Sequence, residues 1–268
     1  MILVVDMGNS DIVLGVYDNK GQLLAVSRTP SLRYKSVDEY VATIKELLFL
    51  KGIKFQDVTD SILSSVVPQL TAVLATAIRA VIGKKPTLLA PGIKTGLAIH
   101  ADNPLEVGGD LIADCVGTIK KYGSPAILID LGTATKICMI DKKGDFAGCI
   151  ITPGVKVATS ALVKTASQLP NIGYVAPKHV IGKNTVDSMN SGIVYGHASM
   201  LDGFIKRFEE EVGYQAQVVA TGGLAGTIIP ACQTPNIIVD KTIILDGLYE
   251  IYLRESKEKQ KKEGKKHA

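Results

Sequence analysis

Ile2-Leu3-Val4-Val5-Asp6-Met7-Gly8-Asn9-Ser10 is the stretch that decides the fold, because Ala126-Ile127-Leu128-Ile129-Asp130-Leu131-Gly132-Thr133-Ala134 repeats it half a chain later. In both copies an apolar run ends in Asp-x-Gly, and a second apolar stretch and a polar turn follow. Each copy therefore predicts a strand, a tight loop, a strand, a turn and a further strand. Two such segments indicate a duplicated domain.

The segments between and after these hairpins have the patterns of buried helices and strands. Ser36 and Glu39 form an S-x-x-E capping box, and the apolar spacing that follows predicts a helix ending near Gly52. Further helices are predicted over residues 69–82, 110–122 and 185–213, and short strands over 61–67, 87–89, 217–220 and 237–239. This alternation indicates an α/β fold with two lobes, 1–122 and 123–253, and a cleft between them.

Composition limits the class of protein. The chain has 268 residues, of which 46% are hydrophobic, so it can bury the core of one large or two modest domains and is not a disordered chain. No apolar run approaches the roughly 18 residues needed to span a bilayer. The first ten residues resemble a strand more than an export signal, and the four cysteines form no C-x-x-C pair. We therefore expect a cytoplasmic protein without membrane attachment.

The net charge of +4 belongs to one end of the chain. Residues 254–268 contain seven of the 30 Lys and Arg residues and three of the 26 Asp and Glu residues, which leaves the rest of the chain neutral. A basic end of this kind predicts a disordered, solvated tail over 254–268. The neutral body gives no reason to expect a nucleic-acid partner.

Both Asp-x-Gly loops suit the binding of phosphate. Glycine lets the backbone approach phosphate oxygens, Asn and Ser donate hydrogen bonds, and the carboxylate of Asp6 suits a hydrated Mg²⁺. Asp130-Leu131-Gly132-Thr133 offers the same groups. Either loop by itself has the simpler interpretation of a hairpin turn. Their occurrence at equivalent positions favours the phosphate interpretation.

A third loop suits the nucleoside. A strand runs into Thr221-Gly222-Gly223, where a base and ribose would lie against bare backbone. The order phosphate loop, second phosphate loop, adenosine loop resembles the actin-like ATPase superfamily. That resemblance implies two ribonuclease H-like domains with ATP in an interlobe cleft.

Within that superfamily the chain resembles the type III pantothenate kinases, from Asp6 to about Tyr252. The stretches that carry the resemblance are DMGNS (6–10), SSVVP (64–68), KTGLAI (94–99), NPLEVGGD (103–110), DLGTAT (130–135), ITPGV (151–155), LP (169–170), IGKNT (181–185), SGIVYG (191–196) and ATGGLA (220–225). No G-x-G-x-x-G follows a strand, so a dinucleotide-binding enzyme is not indicated.

The resemblance implies transfer of the γ-phosphoryl group of ATP to the primary alcohol of pantothenate, the first step toward coenzyme A. Asp110 matches the catalytic base of the family's G-x-D-R segment, although a helix N-cap is the alternative for this residue. Thr185 matches a substrate contact, with a helix cap again as the alternative. The substrate-binding positions implied are Ala101, Gly108, Gly109, Asp110, Leu111 and Thr185.

The same resemblance implies the nucleotide and metal sites. Asp6 would hold Mg²⁺, and Asp130 matches the position of a monovalent cation, K⁺ or NH₄⁺. The family is dimeric, so a homodimer is expected. The implied ATP-binding residues are Asp6, Met7, Gly8, Asn9, Ser10, Asp11, Ile12, Val13, Thr133, Gly222 and Gly223.

Four residues depart from the family pattern. Leu111 replaces the arginine of G-x-D-R, and Ala101 replaces a tyrosine that contacts pantothenate. Lys136 stands where threonine is usual, and Cys149 stands where glycine is usual. An arginine–carboxylate hydrogen bond is worth ~1.5–3 kcal/mol, so the first departure bears on acceptor binding. His100, next to Ala101, is a candidate replacement donor or an exposed residue without that role.

Three hypotheses about function follow. The chain is a pantothenate kinase with an altered acceptor pocket, or it phosphorylates another small alcohol that lacks the carboxylate. The third hypothesis is a divergent paralogue that binds nucleotide as a regulatory or partner subunit of a heteromeric kinase. Survival of Asp6, Asp110, Asp130, Thr133 and Thr185 favours pantothenate kinase chemistry.

Overall fold

The computed structural model describes residues 1–264, which form two compact units. The first unit contains residues 1–97, 102–120 and the chain from Ile243 onward. The second contains residues 98–101 and 121–242. Both units have an α/β architecture built on one five-stranded sheet.

The first unit begins with a three-stranded antiparallel meander. Two further strands extend its sheet in parallel with β1, giving the order β3-β2-β1-β4-β5. Its elements are β1 (Ile2–Met7), β2 (Asp11–Tyr17), β3 (Leu23–Pro30), α1 (Val37–Leu50), β4 (Asp60–Ser65), α2 (Pro68–Ile82), β5 (Thr87–Leu88) and α3 (Gly109–Tyr122), with short 3₁₀ turns at Phe55–Asp57 and Pro104–Glu106. The last two residues of α3 fall in the second unit.

The second unit repeats this plan. Its meander and two parallel strands give the order β8-β7-β6-β9-β10. Its elements are β6 (Ala126–Leu131), β7 (Ala134–Ile140), β8 (Phe146–Pro153), α4 (Val155–Thr165), α5 (Thr185–Val212), β9 (Gln217–Thr221), α6 (Ala225–Ile228), a 3₁₀ turn at Ile229–Ala231 and β10 (Ile238–Val239). Because both sheets have the same strand order and directions, the predicted duplication is confirmed.

Each unit has its own apolar core beside its sheet. In the first, alternate residues of β1 such as Leu3, Val5 and Met7 pack with the buried faces of α1 and α2. In the second, Ile127 and Ile129 of β6 pack with the buried face of α5. The opposite face of β6 is also buried at Leu128, so the central strand is covered on both sides. A strand buried on both faces has the continuous apolar sequence that marked these two segments.

Local signals predicted several element boundaries. Ser36 caps α1 in a complete capping box with Glu39. Helix α2 ends at Gly83 in the left-handed conformation, and α5 ends at Gly213 in the same way. The sequence did not predict α4, and it did not predict a helix after residue 213, where the structure has α6 and a further long helix.

The end of the chain differs from the prediction. Helix α7 runs from Ile243 to Gly264, so residues 254–264 are helical, and only 265–268 of the predicted disordered tail lie outside the described residues. Good helix formers and pairs such as Glu255 with Lys259, whose charged atoms are 3.7 Å apart, favour the helix. The helix packs on β1 and β4, which places it in the first unit and not in the predicted lobe 123–253.

Helices α3 and α7 meet at two glycines. A Cβ atom on Gly117 would run into the backbone carbonyl of Ile243, and one on Gly247 would run into the carbonyl of Ala113. The two backbones therefore touch, and this contact holds the last helix on the first unit. None of the helices described within residues 1–264 is long and apolar enough to cross a membrane.

We expect Gly117→Ala to lower the free energy of unfolding by about 1–3 kcal/mol, because the added methyl group must separate α3 from α7. Gly203→Ala is the matched control, since Gly203 is an exposed glycine of α5 with open space around its Cα. That substitution should be neutral or stabilise by roughly 0.5–1 kcal/mol through helix propensity. Urea unfolding of the two variants measures the difference, and equal midpoints would contradict the contact.

Candidate active site

The first Asp-x-Gly loop is a tight connection between β1 and β2. Asp6 is at the end of β1 with 8% of its surface exposed, and its partner across the hairpin is Val13. The N–H of Gly8 donates to the carbonyl of Asp11 at 2.9 Å, and the hydroxyl of Ser31 donates to the carbonyl of Gly8 at 2.6 Å. These bonds fix the loop, and they leave the exposed side chains of Asn9 and Ser10 at its tip.

The neighbours of this loop divide into two groups. The side chains of Met7, Ile12 and Val13 are buried, so only their backbone atoms are available to a nucleotide. Asp11 is half-exposed at the start of β2 and is paired with Arg28 at 3.2 Å. Within residues 6–13, the polar side chains are therefore concentrated at Asp6, Asn9, Ser10 and Asp11.

Asp110 lies in the first turn of α3. The helix begins at Gly109, and the N–H of Ile112 donates to the carbonyl of Gly108 at 3.1 Å. A carboxylate oxygen of Asp110 accepts from the N–H of Leu111, its immediate neighbour, at 2.8 Å. An N-cap residue precedes the helix and accepts from an N–H two or three residues on, which is a different pattern. The carboxylate thus belongs to the helical turn itself.

The second loop is enclosed by two glycines. A Cβ atom on Gly154 would run into the carbonyl oxygens of Gly132 and Thr133, and one on Gly222 would lie 2.5 Å from the carbonyl carbon of Leu131. Gly222 also has φ +96°, a conformation that favours glycine. The structure therefore brings the predicted adenosine loop and the DLGT loop into contact within the second unit. Sequence reasoning noted Gly154 only as part of the ITPGV motif.

Asp130 has a charged neighbour that sequence reasoning did not assign to it. Its partner across the β6–β7 hairpin is Lys136, whose Nζ lies 2.9 Å from a carboxylate oxygen of Asp130. The two side chains are only 16% and 14% exposed. On the parallel side, Asp130 is in register with Thr221, which is buried.

Thr185 lines a cavity of about 760 Å³ in the second unit. The cavity has one cationic group, hydroxyl groups and an apolar wall. Its lining residues are Leu162, Leu169, Gly182, Lys183, Asn184, Thr185, Ser188, Met189, Gly192 and Ile193. The cavity is largely open to solvent, and its volume and mixture of groups can accommodate a small organic molecule.

One wall of the cavity is the segment that precedes α5. The hydroxyl of Ser191 donates to the carbonyl of Val180 at 2.5 Å, and the hydroxyl of Tyr195 donates to the carbonyl of Pro177 at 2.7 Å. These two residues belong to the SGIVYG motif. Through these hydrogen bonds the motif holds the segment that precedes α5.

The cap of α5 is Asn184 and not Thr185. The Asn184 side chain accepts from the N–H of Asp187 at 2.9 Å and donates to its carboxylate at 2.7 Å. Thr185 is the first residue of the helix and faces the cavity. The cap interpretation therefore applies to Asn184, and the substrate contact at Thr185 stays a prediction.

Comparison with known proteins identifies the family. Residues 2–207 match the family model described as type III pantothenate kinase. The chain is 44% identical to the type III pantothenate kinase of Halalkalibacterium halodurans over 252 residues, which cover 94% of this chain and 98% of the relative. This chain belongs to the type III pantothenate kinase family.

Solved structures show the same fold at low identity. A Baf-family protein from Campylobacter jejuni, described as a transcriptional activator, has a TM-score of 0.59 and 18% identity, with 95% of this chain and 99% of that chain covered. The activator of 2-hydroxyisocaproyl-CoA dehydratase from Clostridium difficile, solved with bound ADPNP, has a TM-score of 0.54 and 14% identity, with 97% of each chain covered. Together with the repeated topology, this likeness confirms the predicted duplicated ribonuclease H-like fold.

Two of the residues that depart from the family pattern have no side-chain hydrogen-bond donor. The side chain of Leu111 is buried in the first unit, and Ala101 has only a methyl group. His100 is exposed, and its Nε2 lies 3.1 Å from a carboxylate oxygen of Asp145, so this ring nitrogen has a local partner.

Cys149, the departure in the β8 strand, faces Cys138 across the β7–β8 pair. The hydrogen bond with Cys138 and partial burial raise the pKa of the Cys149 thiol far above its usual value. This thiol is therefore protonated at neutral pH and is not an activated nucleophile.

We expect Asn184→Ala to destabilise the protein by about 1 kcal/mol, the usual effect of removing an N-cap side chain. Thr185→Val, one residue later, should change the free energy of unfolding by less than about 0.5 kcal/mol, because Thr185 is exposed and is not the cap. Chemical unfolding of both variants measures the difference. A larger loss for Thr185→Val than for Asn184→Ala would contradict this assignment of the cap.

Proposed function

We propose that this chain is a pantothenate kinase, which transfers the γ-phosphoryl group of ATP to the primary alcohol of pantothenate in the first step of coenzyme A biosynthesis. The observation that carries the proposal is the family membership, which rests on 44% identity over nearly the whole length of both proteins. The cavity next to Thr185 and the two Asp-x-Gly loops give it structural support.

The cavity suits pantothenate chemically. Pantothenate has a carboxylate, an amide, two hydroxyl groups and a gem-dimethyl group. Lys183 supplies a positive charge for the carboxylate, Thr185 and Ser188 supply hydroxyl groups, and Met189 and Ile193 supply apolar surface. Lys183 thus offers a positive charge for the acceptor within the second unit.

Asp110 is the proposed general base. Its carboxylate accepts the proton of the attacking hydroxyl while that oxygen forms a bond to the γ-phosphorus and the bond to the β–γ bridging oxygen breaks. ADP leaves, and the proton passes from Asp110 to solvent. The first turn of a helix holds this side chain on a rigid backbone, which favours correct positioning.

The phosphate groups of ATP are assigned to the two loops. In the first unit, the backbone of Gly8 and the side chains of Asn9 and Ser10 are the proposed donors. In the second unit, Thr133 and the backbone near Gly222 are assigned to the nucleotide. The Asp6 carboxylate fits Mg²⁺, because a hard cation prefers carboxylate oxygen and Val13, the residue opposite Asp6, supplies no charge. When bound, Mg²⁺ neutralises charge on the phosphates.

Assembly and location are proposed from the family resemblance. We propose a homodimer, and several exposed apolar side chains in the second unit support a protein–protein contact. They include Val157, Val175, Val180 and Ile181. A cytoplasmic location is proposed, and the four cysteines, none of which forms a disulfide within residues 1–264, are consistent with a reducing compartment.

We expect Asp110→Asn to lower kcat for pantothenate by about 10²–10⁴-fold, the usual contribution of general acid–base catalysis. Binding of a non-hydrolysable ATP analogue should be unchanged. Asp102→Asn, at an exposed aspartate nearby in the sequence, is the matched control and should keep wild-type kcat. A coupled ADP-release assay with pantothenate and with neutral small alcohols measures turnover.

The outcome of that assay separates the three hypotheses. Pantothenate turnover that depends on Asp110 supports the proposal. Turnover only with a neutral alcohol would show that this alcohol, and not pantothenate, is the acceptor. Analogue binding without any turnover would favour a partner subunit and contradict the proposed activity.

We further expect Thr185→Val to raise KM for pantothenate by about 2- to 12-fold, the equivalent of one hydrogen bond, with little change in KM for ATP. The substitution keeps the shape of the side chain and removes the hydroxyl group. Steady-state kinetics measure both constants. An equal rise in both KM values would argue against a contact between Thr185 and the acceptor.

A further inference from the structure

We propose that the ammonium group of Lys136 takes the place of a monovalent cation at Asp130, so that this chain has a built-in cation and needs no added K⁺ or NH₄⁺. The inference rests on the proposed kinase function, because the cation would serve the same nucleotide loop. It replaces the expectation that Asp130 holds a free monovalent cation.

The ion pair is specified by strand register. Asp130 and Lys136 are direct partners in the antiparallel β6–β7 hairpin, so their Cβ atoms leave the sheet on the same face. The Nζ to carboxylate distance of 2.9 Å is that of a charge-assisted hydrogen bond. With about one-seventh of each side chain exposed, solvent screens the pair only weakly.

The duplicated hairpin provides an internal comparison. In the first unit, the residue opposite Asp6 is Val13, an apolar side chain that is 8% exposed. In the second unit, the corresponding partner of Asp130 is Lys136. Two similar strand ends thus differ in whether the opposite strand supplies a positive charge. Asp6 is therefore suited to bind a cation from solution, whereas the ammonium group of Lys136 provides the positive charge at Asp130.

A second monovalent cation does not fit this carboxylate. An incoming K⁺ would have to approach Asp130 beside an ammonium group that is already in contact with it, and like charges at such distances repel strongly where solvent is scarce. Either the ion pair would break and leave Lys136 without its partner, or the ion would bind weakly. The geometry therefore disagrees with a free monovalent cation at this position.

The position of this charge connects it to the nucleotide loop. A Cβ atom on Gly132 would lie 3.3 Å from both carboxylate oxygens of Asp130, so the carboxylate rests against the backbone of the DLGT loop. Neutralising Asp130 therefore stabilises the loop that carries Thr133. Lys136 is a positioning residue in this sense, since it acts on the loop through Asp130.

Cation dependence of turnover tests the proposal. Wild-type rates with Mg·ATP and pantothenate should agree within 2-fold in KCl, NH₄Cl and choline chloride at equal ionic strength. Lys136→Thr should lose at least 10-fold in choline chloride and regain at least 5-fold in KCl. Lys143→Thr, which removes an exposed lysine from the turn of the neighbouring hairpin, is the matched control and should behave like the wild type. A 10-fold or larger stimulation of the wild type by K⁺ would overturn the proposal.

Direct cation binding gives a readout that does not depend on catalysis. Thallium(I), a spectroscopic substitute for K⁺, is titrated against each protein and followed by ²⁰⁵Tl NMR. We expect the wild type and Lys143→Thr to show no saturable thallium binding that K⁺ displaces. We expect Lys136→Thr to show saturable thallium binding that K⁺ displaces. Lys136→Met, which keeps most of the aliphatic stem, serves as a second variant in case Lys136→Thr does not fold.

The two readouts separate failure of this inference from failure of the proposed function. If no salt gives turnover, the kinase proposal fails and the thallium titration still decides the role of Lys136. Saturable thallium binding to the wild type would overturn the built-in cation. If folded Lys136→Thr and Lys136→Met do not bind thallium, the built-in cation would also be overturned. In that case removal of the ammonium group does not uncover a cation site at Asp130.

Discussion

A strand buried on both faces that ends in a carboxylate is the constraint on which each unit depends. Strands β1 and β6 form the centre of their sheets, and each is apolar apart from one aspartate near its end. A carboxylate next to so much apolar surface must be neutralised by a charge partner or a metal, or receive hydrogen bonds. The location of the polar loops, and of the chemistry assigned to them, follows from this requirement.

The two units meet the requirement differently because their hairpins differ in one side chain. Lys136 neutralises Asp130 from the neighbouring strand, whereas Val13 leaves the negative charge of Asp6 to be balanced by other means. The proposed division of roles, Mg²⁺ at the first aspartate and a fixed ammonium group at the second, is a consequence of this difference. Glycines at 154 and 222 then allow two further backbone segments to approach the second loop.

The sequence predicted the parts of the fold that are specified locally. The capping box at Ser36 and the glycines after α2 and α5 mark element ends through short-range hydrogen bonds and backbone conformation. The repeated apolar run predicted both central strands. By contrast, the attachment of α7 to the first unit depends on the contact of Gly117 with the backbone of Ile243, more than 120 residues away, and no local pattern shows such a contact.

The site residues also divide into those that a local pattern predicts and those that depend on contacts between distant segments. The loops at Asp6 and Asp130 were predicted from their glycines, and Asp110 and Thr185 from the family resemblance. The pairing of Asp130 with Lys136 was missed because it depends on hairpin register, which the length of the loop between the strands determines. The cavity was also missed, because its walls come from α4, from Leu169, from the segment at 182–184 and from α5, which only the folded chain brings together.

A cation fixed to the chain has different physical consequences from one drawn from solution. An ion that binds from solution stabilises the folded protein in proportion to the logarithm of its concentration, so loop order would follow the salt composition. An ammonium group on the neighbouring strand is present at a constant effective concentration, set by strand geometry. The price is a fixed geometry, since Lys136 reaches Asp130 only in this register, and the hairpin of β6 and β7 therefore determines both the fold of the loop and its charge.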